Sequence, residues 1–292
     1  LDLAPDFARV LSASEISAIT GLTPRCGGIH YQRGGWLDPR ALCRALLDHP
    51  LITVKEDCGV ISLNRQGDHW VARSTQNPAL AQAPVAVIAT ARHVLQQPEL
   101  AWLPLNTIRG QTTHVPTNRV LANVTIPVCD EGYLPPAREG VHCLGASFGP
   151  GDTDTDERAS EHAHNIDMMR RALPDLELNP PPEGWRGHVA LRCNSNDYLP
   201  VAGVVPRLAD FNQRYSALVH DRKRVIHADA PLHPGLAVLT SLGSRGLTAA
   251  PLTAERVADQ LLGTPPCLPR YLQRAISPAR FAERGLKRGE AL

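Results

Sequence analysis

The chain is organised around one apolar run, Leu236 to Leu242, which carries Val238 and Thr240 and is preceded by Pro234 and Gly235. Its length and its flanking glycines predict a buried strand. Gly243 and Gly246 then punctuate a tight turn. After the turn, Ala254, Val257, Ala258 and Leu261 fall at i, i+3, i+4 and i+7, the period of a helix face. Pro251 is expected in the first helical turn, where its missing N–H costs nothing. Gly263 and Pro265-Pro266 stop the helix. Such a strand–turn–helix unit points several backbone N–H groups out from a helix start, with the partial positive charge of the helix dipole behind them. That is a natural seat for an anion or an electron-rich carbonyl, but a glycine pair before a helix, taken alone, is in most proteins only a tight turn.

The rest of the pattern gives a coarse element order. Phe7, Val10, Leu11, Ile16 and Ile19 predict helical pieces over residues 4–20, and Cys26 to Tyr31 a short strand. Asp38 suits an N-cap with Pro39 at the first helical position, and the helix then runs through Leu42, Ala45 and Leu46 to His49-Pro50. Leu51 to Val54 reads as a strand start. Val60 to Leu63 and His69 to Arg73 read as a hairpin around Gln66-Gly67-Asp68. Val85 to Thr90 is an apolar strand expected to be central and parallel. From about Leu105 short strand-like pieces alternate with turns: residues 106–115, 120–128, 132–134 and 141–148, a pattern that suits an antiparallel sheet. A polar stretch, Gly151 to Glu157, precedes a helix from Glu161 to Leu173, and three prolines at 180–182 close the region. Gly187 to Arg192 and Tyr198 to Val205 are strand-like, and residues 207–230 are polar and basic with little period, which reads as a surface insertion.

This order is mixed α/β, then antiparallel β, then α/β again, and it predicts a discontinuous domain with a second domain inserted. The expected divisions are 1–104, 105–183, 184–263 and a basic tail, 264–292. The length of 292 residues allows one large or two smaller domains, and 43% apolar residues suffice for a full core. No run approaches the roughly 20 apolar residues of a spanning helix, so no membrane span is expected. The first residues lack a signal-peptide pattern and a starting Met, which suggests a chain that begins inside a longer one. A net charge of +1 sets up no global field for nucleic acid. Seven scattered cysteines without a C-x-x-C predict reduced thiols in a cytoplasmic protein and no zinc or redox motif. No metal site is expected elsewhere. His162 and His164 diverge at i, i+2 on a helix, and Asp152, Asp154 and Asp156 lack the Gly and Glu that would complete a calcium loop.

Several stretches match one family in order. They are Cys26–Gly28 with Gly34–Pro39, Ile108–Gln111, Glu131–Pro135, Leu144–Phe148 with Gly151–Asp154, Arg192–Gly203, Leu242–Gly246 and Ala275–Phe281. On these residues the chain resembles the FAD-dependent oxidoreductase part of bifunctional bacterial tRNA wobble-uridine modification enzymes, within the D-amino-acid-oxidase and glycine-oxidase superfamily. The resemblance implies an α/β (α+β) fold: a discontinuous, Rossmann-like FAD-binding domain with an inserted antiparallel-sheet substrate domain. The family's N-terminal G-x-G-x-x-G does not occur before Gly34-Gly35. The chain therefore reads as a member without its first βαβ unit and without the methyltransferase domain that precedes that unit in bifunctional relatives.

The resemblance further implies FAD as cofactor and tRNA as partner. The implied reaction oxidises the C–N bond to the carboxymethyl group of 5-carboxymethylaminomethyl-(2-thio)uridine, leaving the 5-aminomethyl base and glyoxylate. It assigns Arg192 to the substrate carboxylate, which an Arg fork binds at two points; the other reading of Arg192 pairs it with Asp197 to hold the loop. Arg109 either lines the flavin face or serves a structural role. Tyr133 either covers the substrate or is a buried Tyr with a satisfied hydroxyl. Gly243, Ser244, Arg245, Gly246 and Leu247 would offer backbone N–H groups to the flavin C2 carbonyl. Gly35 and Thr90 are assigned to the cofactor as well, with Ala91 standing where the superfamily turn has Gly. The basic tail, with Arg270, Arg274, Arg280, Arg284, Lys287 and Arg288, either touches tRNA phosphates or is a solvated helix. Two other functions stand beside this one: an oxidase of free glycine- or sarcosine-type amines, and a non-catalytic interaction module.

Overall fold

The computed structural model describes residues 4–59, 61–75 and 77–290. They form two compact units, Leu1–His49 with Ile108–Leu191 and Pro50–Thr107 with Arg192–Leu292. The segment up to His49 thus groups with the antiparallel-sheet region rather than with the expected first domain. Packing explains this: Leu22 is buried in one cluster with Val115, Leu134, Leu144 and Met169, and Arg138 pairs with the N-cap carboxylate of Asp38.

In the first unit, the long strand Leu105–Pro116 lies between Gly149–Pro150 and Val141–Gly145. Tyr133–Leu134 and Val128–Cys129 continue the sheet, and these strands pair antiparallel throughout. The helix Ala159–Ala172 buries His162, Asn165, Ile166, Met169 and Ala172, the period of one helix face. Leu121, Leu134, Leu144 and Leu173 complete that core. Residues 120–128 are mostly not strand, since Leu121–Asn123 turn as a short 3-10 helix.

Two corrections fall at the N-terminal end of this unit. Ala8–Leu11 is a strand rather than a helical piece, and it pairs antiparallel with Gly28–Tyr31 from Ala8↔Tyr31 to Leu11↔Gly28. A helix begins only after it, at Ala13–Thr20, because Ser12 and Glu15 form a capping box. The helix Pro39–Leu47 has the expected start: Asp38 accepts from the Arg40 N–H at 2.9 Å.

The second unit is built on a sheet in the order Val201–Pro206, Leu232–Thr240, Ala86–Ile88. The first pair is antiparallel and the second parallel. Both faces of the middle strand are buried, which is why it reads as an unbroken apolar run. Leu236 and Val238 face Trp70, Val94, Leu100, Val201 and Phe281. Ala237, with Ala202 and Val204, faces Val257 and Leu261 of the helix Gly246–Leu262. Ala86–Ile88 is parallel as expected but stands at the edge of this sheet, not its centre. A second sheet, Ile61–Gln66, His69–Ser74 and Ala81–Ala83, contains the expected hairpin. Val60, its expected first residue, lies outside the described residues. The Trp70 indole N–H donates to the Pro234 carbonyl at 2.9 Å and ties this hairpin to the main sheet.

Three further expectations change here. Leu51 to Val54 carries no strand, and Leu51 is 88% exposed. The long helix starts at Gly246, so Pro251 sits in its second turn and denies the Leu247 carbonyl its helical donor. Residues 207–230 are more than a surface insertion: Leu208–Arg214 is helical and Ser216–Val219 a 3-10 turn. Phe211 and Leu218 bury against Ala282 and Leu286 of the C-terminal helix Ala279–Arg288. Their apolar partners lie far along the chain, so no local period announced them. No helix among the described residues is long and apolar enough to cross a membrane.

Candidate functional site

The second unit brings together most of the residues assigned to a cofactor. Leu232–Thr240 ends in Ser241 at φ 60°, then Gly243 at φ 57° opens a 3-10 turn into the 17-residue helix Gly246–Leu262. Gly243 is needed twice over. Its φ is one that side chains rarely adopt, and a Cβ on it would stand 2.8 Å from Asn194 Oδ1. The first N–H groups of the helix have no acceptor within the helix. Ser244, Arg245 and Leu247 are exposed around that start. Thr90 and Ala91 lie beside the same turn: Thr240 Oγ1 donates to the Ala91 carbonyl at 2.9 Å. Ala91 holds φ 48°, the physical reason a Gly would suit that position.

Asn194 is the residue that motif reading passed over. It is 7% exposed, and its Oδ1 is buried without a hydrogen-bond partner. A buried amide oxygen left this way is costly, and here it lies against the Gly243 turn. Arg192 precedes it by two positions on the strand Arg186–Ser195, so both side chains leave the same face, about 7 Å apart along the strand. Arg192 is half-buried. The orphaned acceptor, the glycine cradle and the open helix start fit the isoalloxazine end of FAD, which carries both a ring N–H donor and electron-rich carbonyls.

The loop after Arg192 is fixed from the C-terminal end. Asp197 accepts from Arg280 Nε and Nη2, both at 3.0 Å, from Ser195 Oγ at 2.8 Å, and from Arg284. Burial alone would raise the Asp197 pKa, but the hydrogen bonds from Arg280, Arg284 and Ser195 outweigh it and hold the carboxyl far below the usual range. Arg280 is 5% exposed and also donates to the Leu199 and Ser277 carbonyls, each at 3.1 Å. Two of the tail's cations are therefore committed within the fold, and Arg280 in particular is no solvated surface charge. Nothing local signals this pair, which spans 83 positions.

The remaining assigned residues lie in the first unit. Arg109 is fully buried. Its Nε donates to the Asp154 carbonyl at 2.8 Å, and it also binds Glu161, Gln111 Oε1 and the Asp156 carbonyl. It ties its strand to the acidic loop and the helix behind it. The loop's aspartates are themselves engaged: Arg158 donates to Asp152 Oδ2 at 2.5 Å and to Asp154 Oδ2 at 2.7 Å. Tyr133 is 37% exposed, and its hydroxyl would meet a Cβ on Gly145 at 3.1 Å, so that glycine makes room for the ring. Gly35 lies in an exposed loop where an added Cβ would touch nothing.

A model of the family described as FAD dependent oxidoreductase matches residues 2–260. The chain is 38% identical over 289 residues to the tRNA 5-methylaminomethyl-2-thiouridine biosynthesis bifunctional protein MnmC of Ectopseudomonas mendocina, covering 97% of this chain and 44% of that protein. It is 39% identical over 293 residues to the protein of the same name from Pseudomonas putida, covering 98% and 44%. The chain thus spans less than half the length of these curated relatives. Among solved structures it resembles glycine oxidase from Geobacillus kaustophilus, with a TM-score of 0.70 at 18% identity over 91% of this chain and 66% of that one. Iminodiacetate oxidase from Chelativorans sp. BNC1 gives a TM-score of 0.70 at 20% identity, over 94% and 69%. At such identities these two likenesses speak for the fold.

Proposed function

Because the chain belongs to the FAD dependent oxidoreductase family, we propose that it carries the oxidative half of a tRNA wobble-uridine modification: removal of the carboxymethyl group from 5-carboxymethylaminomethyl-(2-thio)uridine, with a methyltransferase part as the partner activity. The observation that carries this reading is the 38% identity, over 97% of the chain, to a relative named for biosynthesis of a tRNA thiouridine. FAD, when bound, would supply the two-electron oxidation of the C–N bond to an imine, which water would split into glyoxylate and the aminomethyl base.

The chain's own residues bind and orient. Arg192 is assigned to the substrate carboxylate, where a guanidinium fork gives two parallel charge-assisted bonds and fixes the reacting carbon. The helix start over Gly243–Leu247 offers N–H groups and partial positive charge to the ring carbonyl. Asn194 backs the turn and offers its unpartnered oxygen to a ring N–H. Thr240 and Ala91 hold the neighbouring turn, and Asp197, clamped by Arg280, keeps the strand end that carries Arg192 in place. No step rests on Arg109, Tyr133 or Gly35.

The test is the visible spectrum of the purified chain with FAD, followed by anaerobic mixing with tRNA carrying the modified uridine. Bleaching of the flavin band with release of glyoxylate is expected, and Arg192→Lys should slow bleaching while leaving the flavin bound. Bleaching by sarcosine or glycine, with none by the tRNA, would reassign the chain as a free-amine oxidase. A folded chain that takes up no FAD would refute a catalytic role for it.

A further inference from the structure

The 207–230 segment and the C-terminal helices enclose a groove of about 500 Å³ that the flavin site does not use. Its floor is aromatic: Phe211 and Tyr215 stack with ring centroids 4.3 Å apart and planes 3° from parallel. Its rim is basic, with Arg222, Lys223, Arg224 and Arg274 all exposed. We propose that this groove is a second, sequence-independent contact for the phosphate backbone of the RNA substrate.

Three observations carry the assignment. First, the charge is uncompensated. Arg280 is spent on Asp197, and Lys287 pairs with Glu283 at 2.5 Å, but the four rim cations form no ion pair among the described residues. Second, the charge is local. The whole chain carries only +1, so four unpaired cations around one groove are an asymmetry and not a sample of a basic protein. Third, the cations are displayed on a fixed turn. Asp221 Oδ1 accepts the Lys223 N–H at 3.0 Å, and the Arg224 N–H donates to the Asp221 carbonyl at 3.1 Å. The Tyr215 hydroxyl donates to the Ala228 carbonyl at 2.7 Å, and Arg214 donates to the Asp229 carbonyl at 2.9 Å. Long, exposed cations around an open groove suit a chain of phosphates, which they can neutralise with release of counterions and without reading bases.

The proposal rests on the tRNA reading above and is tested so that the two can fail separately. Binding of unfractionated bacterial tRNA to the whole chain is measured across a salt series. The variants are the triple reversal Arg222→Glu/Lys223→Glu/Arg224→Glu, the single Arg274→Glu, and Arg119→Glu, which matches the charge change of Arg274→Glu in the other unit. The triple variant should bind at least about tenfold more weakly at about 0.1 M salt. Its log–log salt dependence should fall by about 0.7–0.9 for each phosphate no longer neutralised. Arg274→Glu should weaken binding more than Arg119→Glu, with circular dichroism unchanged in all three. Wild-type chain that ignores tRNA would overturn the underlying function. Wild-type binding with no weakening in the triple variant, or a weakening from Arg119→Glu equal to that from Arg274→Glu, would overturn the groove alone. Full displacement of the tRNA by millimolar inorganic phosphate would make the groove a small-anion site and also overturn it.

Discussion

Asp197→Asn isolates the clamp between the C-terminal helix and the strand end that carries Arg192. The substitution keeps the side chain's shape and removes its charge, leaving Arg280 buried without a counter-ion. Removing one partner of a buried pair costs about 3–5 kcal/mol. Here the guanidinium keeps the Leu199 and Ser277 carbonyls, each at 3.1 Å, and Asp197 is 21% exposed. The low end, about 3 kcal/mol, is therefore expected. At about 2–4 °C per kcal/mol for a protein of this size class, the midpoint of a thermal melt should fall by about 6–12 °C. Arg284→Ala should cost under about 1 kcal/mol, because Arg284 is 45% exposed and its pair is screened. A cycle of Asp197→Asn with Arg280→Met should show a coupling of about 2 kcal/mol. A destabilisation below about 1 kcal/mol for Asp197→Asn, or additive single variants, would refute the clamp.

Acid should erase the difference between wild type and Asp197→Asn. The folded carboxyl titrates below its unfolded value of about 3.9, so its stabilisation is complete above that pH and drains away as pH falls toward the folded pKa; urea midpoints that stay equally far apart at pH 7 and pH 3 would contradict this. Ala91→Gly should stabilise the chain by about 0.5–1 kcal/mol. It relieves a left-handed alanine at a cost in chain entropy, and a melt that is unchanged or lower would show that the strain is not there to relieve.

The parts of this fold that were legible in the sequence are those whose pattern is local. Leu236 to Leu242 announced a buried strand because both of its faces are covered, and Gly243 announced the turn because its backbone needs a positive φ. Asp38 and Pro39 announced a helix start for the same kind of reason. What stayed hidden depends on partners distant in the chain. Asn194, whose Oδ1 leaves no room for a Cβ on Gly243, looks like any Asn on a strand. Arg280 looked like one cation of a basic tail, and Arg109 like a candidate ligand, until their acidic partners were in view. Ala8–Leu11 read as helical because its four residues are too few to separate the two periods, and its strand is defined by Gly28–Tyr31.

The interleaving of the two units has a consequence for vectorial synthesis. Ala86–Ile88 leaves the ribosome long before Leu232–Thr240, the strand it pairs with in parallel. Trp70 likewise waits for Pro234 and for Phe281. The hairpin Ile61–Ser74 can close by itself, but its buried face has nothing to settle on until Pro234 and Phe281 have been made. During that interval the antiparallel unit, whose last core residues fall near Leu178, can already consolidate. Nascent Pro50–Thr107 is therefore the stretch most dependent on chaperone holding, and a stalled chain ending before Phe281 would expose it to proteases while the other unit stayed resistant.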